Sequence, residues 1–356
     1  MASCIILGES LKQLVSDLTR FPSIGSFAGS EMMNFGVKDG HCIATSFGVV
    51  LSKSQVRAEG LLPVTAIDER IVIAFAGLCN ETSKVKIEIV DKQLFLRSGS
   101  REVTVPFTVG TVHKTNAKAI MASAYEQLKM SKEVAFRLSY LADVAFSDSS
   151  KPELQAIMLC TDGKALACNQ KAVASIKVGC GTAENTALPI PIAKVLTEGA
   201  IIYPGAQETL VRTATAMYVM PSPIRAQKEF PVTAIESYSK IVASDFAECS
   251  GSALCKVVSD CNAILGAAAK TEAVLKLVCK PGKIEATSDN GGAKFRGAFK
   301  AECAADVSAF VPIEELLHIL PLLEDEKIVT LAIGTKSGEL FVKFQKGWCM
   351  FPEWSK

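Results

Sequence analysis

The sequence predicts an α+β fold of three repeated domains, each with two helices packed on antiparallel sheets. At 356 residues the chain is too long for one ordinary core. A short apolar helix that follows a proline and precedes a two-strand hairpin occurs three times, around Pro63, Pro189 and Pro312. These prolines lie about 125 residues apart, a spacing that indicates homologous domains rather than a solenoid of short repeats.

The last repeat, residues 310–344, shows the pattern most clearly. Leu316, Leu317, Leu320 and Leu323 recur at helical spacing, although Pro321 makes the second turn irregular. The β-branched segment IVTLAI and the alternating segment LFVKF then predict a hairpin.

Each repeat also begins with a strand and an amphipathic helix. In the first and third repeats these are SCIILG with ESLKQLVSDLTR, and SDFAECS with SALCKVVSDCNAIL. In the second repeat, KAIMASA is the predicted strand and YEQLKMSKEVAFRLSYLADVAFS the predicted helix. Hairpins with turns at Asp39-Gly40, Asp162-Gly163 and Pro281-Gly282 follow. The predicted domains are residues 1–114, 115–238 and 239–356.

Composition predicts a soluble, cytoplasmic protein. The apolar fraction is 49% and the charged fraction 21%, and no apolar run reaches the roughly 18 residues of a membrane span. We expect no secretory signal, because MASCIILGES has no basic n-region and no long apolar h-region. The 12 cysteines are scattered without a CxxC pair, which is typical of reduced, buried thiols. A net charge of +1 indicates no global attraction to nucleic acid and leaves a locally basic surface open.

Catalytic motifs are absent from the sequence. His41, His113 and His318 fall in different repeats without ligand spacing, and no GxSxG, HExxH or P-loop pattern occurs. Cys180 has no histidine or asparagine partner in the sequence pattern. We therefore expect a non-catalytic protein without a cofactor or metal.

Four segments, taken in order and at their spacing, resemble the bacterial sliding clamps, the β subunits of DNA polymerase III. They are LFLRSGSREVTVPF, SDSSKPELQAIML, KEFPVTAIESY and NAIL. The resemblance covers essentially the whole chain and identifies a divergent member. It implies a DNA-clamp fold in which two subunits form a homodimeric ring around duplex DNA, with helices lining the hole.

The resemblance also implies the site residues. Val103 and Val105 would meet Ile264 and Leu265 across the dimer interface, although all four are alternatively ordinary core residues. DNA would be held through phosphates and without sequence specificity. The candidate DNA-binding cations are Lys12, Arg20, Lys132, Arg137, Lys151, Lys194 and Lys256.

Polymerase and clamp-loader subunits would insert a peptide between domains 2 and 3, in a pocket that includes the C-terminal segment. The motif TDGKALA resembles a clamp signature, but Asp162-Gly163 is better explained as a hairpin turn, which moves the pocket to the later segment ACNQKAVA. Glu353 and Trp354 depart from the apolar residues usual there and should change which peptide fits. The candidate pocket residues are Lys171, Ala172, Val173, Phe230, Pro231, Cys349, Met350, Phe351, Pro352, Glu353 and Trp354.

Two functions from different classes follow. The first is a processivity factor that tethers DNA polymerase to DNA. The alternative is a clamp-fold paralogue from a mobile element that serves as a protein-interaction scaffold. The glutamates Glu314 and Glu315, on a helix expected to face the DNA, count against the first function if both project from that helix.

Overall fold

The computed structural model describes residues 2–19, 32–47, 51–111, 116–145, 150–266, 273–335 and 338–353. The chain divides into two compact units. Unit 1 contains Met1–Lys129 and Gly199–Ser222, and unit 2 contains Met130–Glu198 and Pro223–Lys356. Helices and strands are numbered along the chain.

Unit 1 is built on one antiparallel sheet of 13 strands among the described residues, in the order β10-β15-β16-β17-β4-β3-β2-β5-β1-β6-β7-β8, with β9 beside β5. Its helices are α1 (Gly8–Leu18), α2 (Glu69–Leu78) and α3 (Ala117–Ser123). Its strands are β1 (Ala2–Leu7), β2 (Met32–Lys38), β3 (His41–Phe47), β4 (Leu51–Arg57), β5 (Glu59–Asp68), β6 (Lys84–Val90), β7 (Gln93–Ser98), β8 (Arg101–Val105), β9 (Thr108–Val109), β10 (Leu128–Lys129), β15 (Ile201–Tyr203), β16 (Glu208–Arg212) and β17 (Ala216–Pro221).

Helix α1 supplies the core of unit 1 with one apolar face. Leu11, Leu14 and Leu18 are at most 2% exposed and pack against alternating residues of the sheet. On the polar side, Ser54 Oγ of β4 donates a 2.7 Å hydrogen bond to Asp17 of α1, so the helix covers the face of β4 that carries Ser54. The neighbouring residues of β4 therefore point away from the helix.

Unit 2 contains two antiparallel sheets, ordered β14-β11-β12-β13-β26-β25-β24-β18-β22 and β21-β20-β19-β23. Its helices are α4 (Lys132–Val144), α5 (Ile190–Val195), α6 (Ile224–Glu229), α7 (Val232–Tyr238), α8 (Gly251–Gly266) and α9 (Ile313–Leu323). Its strands are β11 (Ala156–Leu159), β12 (Lys164–Cys168), β13 (Val173–Lys177), β14 (Thr186–Pro189), β18 (Ala243–Cys249), β19 (Val274–Lys280), β20 (Lys283–Asp289), β21 (Lys294–Lys300), β22 (Glu302–Cys303), β23 (Ser308–Pro312), β24 (Val329–Gly334), β25 (Leu340–Phe344) and β26 (Gly347–Phe351).

The same element order occurs three times along the chain. A strand and a helix are followed by three strands, then by another strand and helix, and then by three more strands, in β1 to β8, β10 to β17 and β18 to β26, and the third repeat adds the two-residue strand β22. The predicted hairpin turns at Gly40, Gly163 and Gly282 are confirmed, and each glycine has a positive φ, between 76° and 79°. That backbone conformation is accessible to glycine at little cost. The division into three domains remains a prediction.

The start of the second repeat differs from the sequence prediction. KAIMASA forms helix α3, not a strand, because the Asn116 side chain caps it by accepting a bond from Ala119 N. The strand of this repeat is the short β10, and the following helix begins only at Lys132. Ser131 caps that helix by accepting a 3.2 Å bond from Val134 N.

Cysteine burial agrees with the expectation of reduced thiols. All 12 cysteines are free, and Cys180, Cys255 and Cys303 are the partly exposed ones. No helix in the described ranges is long and apolar enough to cross a membrane. No group of His, Cys, Asp or Glu side chains in those ranges has the arrangement of a metal site.

Candidate functional site

The C-terminal segment forms a central strand of the nine-stranded sheet in unit 2. Strand β26 pairs with β25 on one side and with β13 on the other, where Val173 lies opposite Met350. Cys349, Met350 and Phe351 are at most 4% exposed. Residues 347–351 are therefore part of the folded core and not a loose end.

An apolar cluster covers one face of this sheet, and we call it the α6–α7 cluster after the helices over it. Val173, Phe230 and Met350, all predicted pocket residues, are buried in it. Cys349 and Phe351 alternate with Met350 along β26 and so face the other side of the sheet. Half-buried apolar side chains surround the cluster: Leu154, Val232, Tyr238, Ile241, Ala243 and Trp348.

The remaining predicted pocket residues lie at the borders of this region. Ala172 is buried and Lys171 partly exposed in the turn between β12 and β13, and Pro231 precedes α7. Pro352 is partly exposed and Glu353 exposed after the end of β26. Trp354 lies outside the described residues.

One asparagine shapes the turn between β12 and β13. Asn169 Oδ1 accepts hydrogen bonds of 2.7 Å from both Lys171 N and Ala172 N. Its Nδ2 donates a 3.0 Å bond to Oε2 of Glu315, which is 5% exposed on α9. His318, one turn further along α9, places Nδ1 3.7 Å from the same carboxylate oxygen.

The charges of Glu315, His318 and Lys171 stabilise each other. Burial alone would raise the pKa of Glu315, but the contacts of His318 and Asn169, together with the positive charges of His318 and Lys171, lower that pKa overall. The Glu315 carboxylate in turn raises the pKa of His318, against the opposing effect of burial. Glu315 therefore serves as an internal anchor for the turn and does not project from the helix. Of the two glutamates, Glu314 alone is exposed.

Four helices of unit 2 pack in a row, α5-α4-α9-α8. Lys132 of α4, Lys194 of α5 and Lys256 of α8 are exposed on them, and Lys194 is paired with Asp143 at 2.9 Å. Arg137 of α4 differs from the prediction, because it is 8% exposed, pairs with Glu133 and donates a 2.7 Å bond to Lys177 O. The positive charge of Arg137 is therefore engaged by groups of the protein itself.

The other predicted cations are more scattered. In unit 1, Lys12 of α1 is half-exposed and 4.0 Å from Glu81. Lys151 is partly buried before the short 3₁₀ turn at Pro152–Leu154, and Arg20 lies outside the described residues. Three of the helices that carry these cations also carry acidic residues that are at least partly exposed, namely Glu9, Glu133, Asp143 and Asp260, and the neighbouring α9 carries the exposed Glu314. Their surface is therefore close to neutral.

Among the described residues, two edge strands bear on the predicted dimer interface. Strand β8 is the last strand of the sheet in unit 1, and β21 is the last strand of the four-stranded sheet in unit 2. On β8, Val105 is buried in the core and Val103 packs partly against it. On α8, Ile264 is 50% exposed but Leu265 is fully buried. Of the four predicted interface residues, Ile264 presents the largest exposed apolar surface.

No family model and no curated protein matches the sequence. Solved structures do match over the full length. The sliding clamp of Pseudomonas aeruginosa is similar with a TM-score of 0.73, 12% identity, and coverage of 100% of both chains. The beta sliding clamp of C. crescentus gives 0.74 and 9%, covering 100% of this chain and 99% of its own. The Helicobacter pylori beta clamp bound to a DNA ligase peptide gives 0.71 and 11%, covering 99% and 100%. This chain has the sliding-clamp fold.

Sequence analysis of this clamp fold missed the half-buried apolar residues at the border of the α6–α7 cluster. Leu154 follows the motif SSKP, and Val232 and Tyr238 lie in the segment FPVTAIESY, and both motifs belong to segments that resemble sliding clamps. Trp348 lies on β26, two residues before Met350 and thus on the same face. Period-two alternation along the last strand was the signal that would have found it.

Proposed function

We propose that this protein is a DNA sliding clamp, a processivity factor that encircles duplex DNA without sequence specificity. It tethers DNA polymerase through a peptide-binding pocket between the second and third domains, and clamp-loader subunits use the same pocket. The proposed domains are residues 1–114, 115–238 and 239–356, and the active form is a cytoplasmic homodimer. The proposal carries no catalytic role.

The observation that carries this proposal is the fold match over the whole chain. TM-scores of 0.73 and 0.74 to sliding clamps extend over 100% of this chain, so no repeat is missing or replaced. An unrelated activity would need a site of its own. Cys255 and Cys160 do not supply one, because burial raises the pKa of each thiol to about 11, away from the range of a reactive thiolate.

The α6–α7 cluster supports the peptide-binding part of the proposal. It presents half-buried Leu154, Val232 and Trp348 around a buried floor that includes Met350 and Phe230. A peptide with apolar anchors would bury these side chains further, at about 25 cal/mol per Å² of apolar surface removed from water. Glu353, exposed just after β26, would select against acidic residues in the same peptide.

Open sheet edges support the ring. An unpaired edge is prone to uncontrolled pairing, and closing a ring of subunits through edges β8 and β21 would satisfy both. The two edges differ, so the contact is heterologous and closes by two-fold symmetry. Ile264 would add apolar surface beside that contact.

The near-neutral helix surface favours the second candidate, a protein-interaction scaffold that keeps the clamp fold without encircling DNA. Asp143 neutralises Lys194, and Arg137 is buried, so fewer free cations remain than the sequence suggested. Sliding requires phosphate contacts that neutral helices supply weakly.

Loading on nicked circular DNA separates the two candidates. The protein is loaded by the clamp loader of its source organism, separated from free protein by gel filtration, and the circle is then cut once. A clamp remains on the circle and leaves the linear form through its ends. A protein that never comes off the column with the circle, or stays bound equally to both forms, does not encircle DNA.

A further inference from the structure

A groove crosses the sheet of unit 1 on the face away from α1. Its volume is about 370 Å³, and the described residues that line it include His41, Lys53, Arg57 and Arg212 but no Asp or Glu. Gln55, Thr213 and Thr215 complete its polar lining. This cation set is distinct from the helix-borne cations, since it lies on strands and turns.

Strand register fixes the arrangement of the cations. On β4, Lys53 and Arg57 alternate with Ser52 and Ser54, which are 1% exposed, so both cations point away from the core. Across the sheet, Lys53 lies opposite Met217, Met217 lies opposite Arg212, and Arg57 lies opposite His41. Rigid pairing therefore holds the cations on one face.

The groove cations are unpaired in the described part of the chain. No ion pair is found there for Lys53, Arg57 or Arg212, whereas the comparable hairpin of unit 2 neutralises Lys164 with Asp162. The chain holds 37 acidic residues, so leaving these cations without one concentrates positive potential in a single groove. An anionic ligand would complete it.

We infer that this groove binds the phosphodiester backbone of one nucleic-acid strand. Lys53 and Arg57 are four residues apart on a strand, about 13 Å, a separation that two phosphates of one extended strand can span. A guanidinium group can donate two parallel hydrogen bonds to the oxygens of one phosphate. Amide and hydroxyl side chains such as those of Gln55 and Thr215 also commonly bind phosphates. The described lining contains no Phe, Tyr or Trp side chain on which bases stack, so binding is expected to be independent of base identity.

This inference is independent of the ring. The groove belongs to unit 1 alone, so a linear oligonucleotide can occupy it without threading. In a clamp it would hold a strand outside the hole, and in a scaffold it would be the main nucleic-acid contact.

The test measures binding of fluorescein-labelled oligothymidylate to the full-length protein by anisotropy across a salt series. We expect the triple variant Lys53→Gln, Arg57→Gln and Arg212→Gln to reduce the slope of log K against log salt by about 2, since each phosphate contact contributes about 0.7. The charge-retaining variant Lys53→Arg, Arg57→Lys and Arg212→Lys should keep the slope. A matched control removes three exposed cations of unit 2, Arg225→Gln, Lys280→Gln and Arg296→Gln, and should change it little.

Equal slopes for the groove variant and the matched control would overturn the inference. It is equally overturned if polyglutamate of similar length displaces the oligonucleotide at the same charge concentration, because the groove is then a site for acidic peptide. Failure of the ring is seen separately: the unaltered protein would bind oligothymidylate through the groove but would not be retained on nicked circles.

Discussion

Asn169 and Glu315 are joined by a hydrogen bond of 3.0 Å although they are 146 residues apart in the sequence. The bond connects the turn beside the proposed peptide pocket with α9, a helix of the row proposed to face DNA. Since Asn169 also accepts two backbone bonds within its turn, a single side chain holds three contacts.

Loss of that side chain should loosen the turn. We expect Asn169→Ala to lower the free energy of unfolding by about 1–3 kcal/mol, because it leaves the buried Glu315 carboxylate and two backbone N–H groups without this partner. Glu315→Gln is the matched control, since its amide oxygen still accepts from Asn169. Urea denaturation measures both. The anchoring role of Asn169 would be contradicted if Asn169→Ala lowered the free energy of unfolding by no more than Glu315→Gln does.

The pH dependence of stability should carry a signature of His318. Its pKa is raised above the usual 6.5 by Glu315, with further contributions from Asp143 of α4 and Glu314 of α9. A raised pKa in the folded state gives stability that is full below pH 6.5 and is lost as the pH rises through the folded value. Unfolding free energies measured across this interval should fall for the native protein and stay flatter for His318→Gln. Parallel curves would refute the coupling.

Glu315 should give the free energy of unfolding the opposite pH dependence, at acidic pH. Its pKa is lowered below 4.5, so its contribution is present above that value and is lost as the pH falls through the folded value. The attraction between Glu315 and His318 should therefore be strongest at pH values between their two folded-state pKa values, where both groups are charged. Lys171, which faces the carboxylate from the β12–β13 turn, supports it over the whole range.

Duplex DNA binding should depend on the exposed helix lysines and be strongly salt-sensitive. Lys12, Lys132, Lys194 and Lys256 changed together to Gln should reduce the magnitude of the salt slope by about 0.9 for each lysine that contacts a phosphate. Retention on nicked circles in a salt series measures this. The control changes four lysines outside the helix row: Lys84, Lys92, Lys228 and Lys280. Indistinguishable slopes would leave these helices without a role in DNA binding.

The ring should open when charge is placed on Ile264. This residue is 50% exposed, so Ile264→Glu keeps the fold but puts a carboxylate at the proposed contact. Sedimentation should show a shift from dimer to monomer. Ile328→Glu, at a residue that is 60% exposed on unit 2, is the control and should remain dimeric. Leu265 is unsuitable, because it is fully buried and a charge there would unfold the domain. A dimeric Ile264→Glu protein would remove α8 from the interface.

The two faces of β26 should respond differently to truncation. Phe351→Ala, on the face away from the α6–α7 cluster, should cost about 3–5 kcal/mol of stability because it leaves a cavity in the core. Trp348→Ala, on the cluster face, should cost less and should weaken binding to an array of segments from the source organism's polymerase and loader subunits. Similar peptide signals from Trp348→Ala and the unaltered protein would place the pocket elsewhere.

Local chemistry explains where sequence analysis succeeded and where it did not. The helices with an unbroken apolar face, α1, α8 and α9, were predicted, as were the glycine turns, because helical periodicity and positive φ are properties of short segments. The strand predicted for KAIMASA was wrong. The segment forms a helix that depends on the Asn116 cap and on packing against β16, and neither contact can be inferred from its apolar content. Arg137 was assigned to the surface because a sequence does not reveal that a carbonyl 40 residues away accepts its hydrogen bond.

The sequence by itself determined the threefold repeat, the fold class and the segments that resemble a clamp, because hydrophobic periodicity and turn residues are properties of short stretches of sequence. Only the tertiary structure decided which charges are free. Glu315 and Arg137 are used inside the fold, and Lys53, Arg57 and Arg212 meet on one groove although β4 and β16 are far apart in the chain. Strand register and burial set those outcomes, and both arise from contacts between residues distant in sequence.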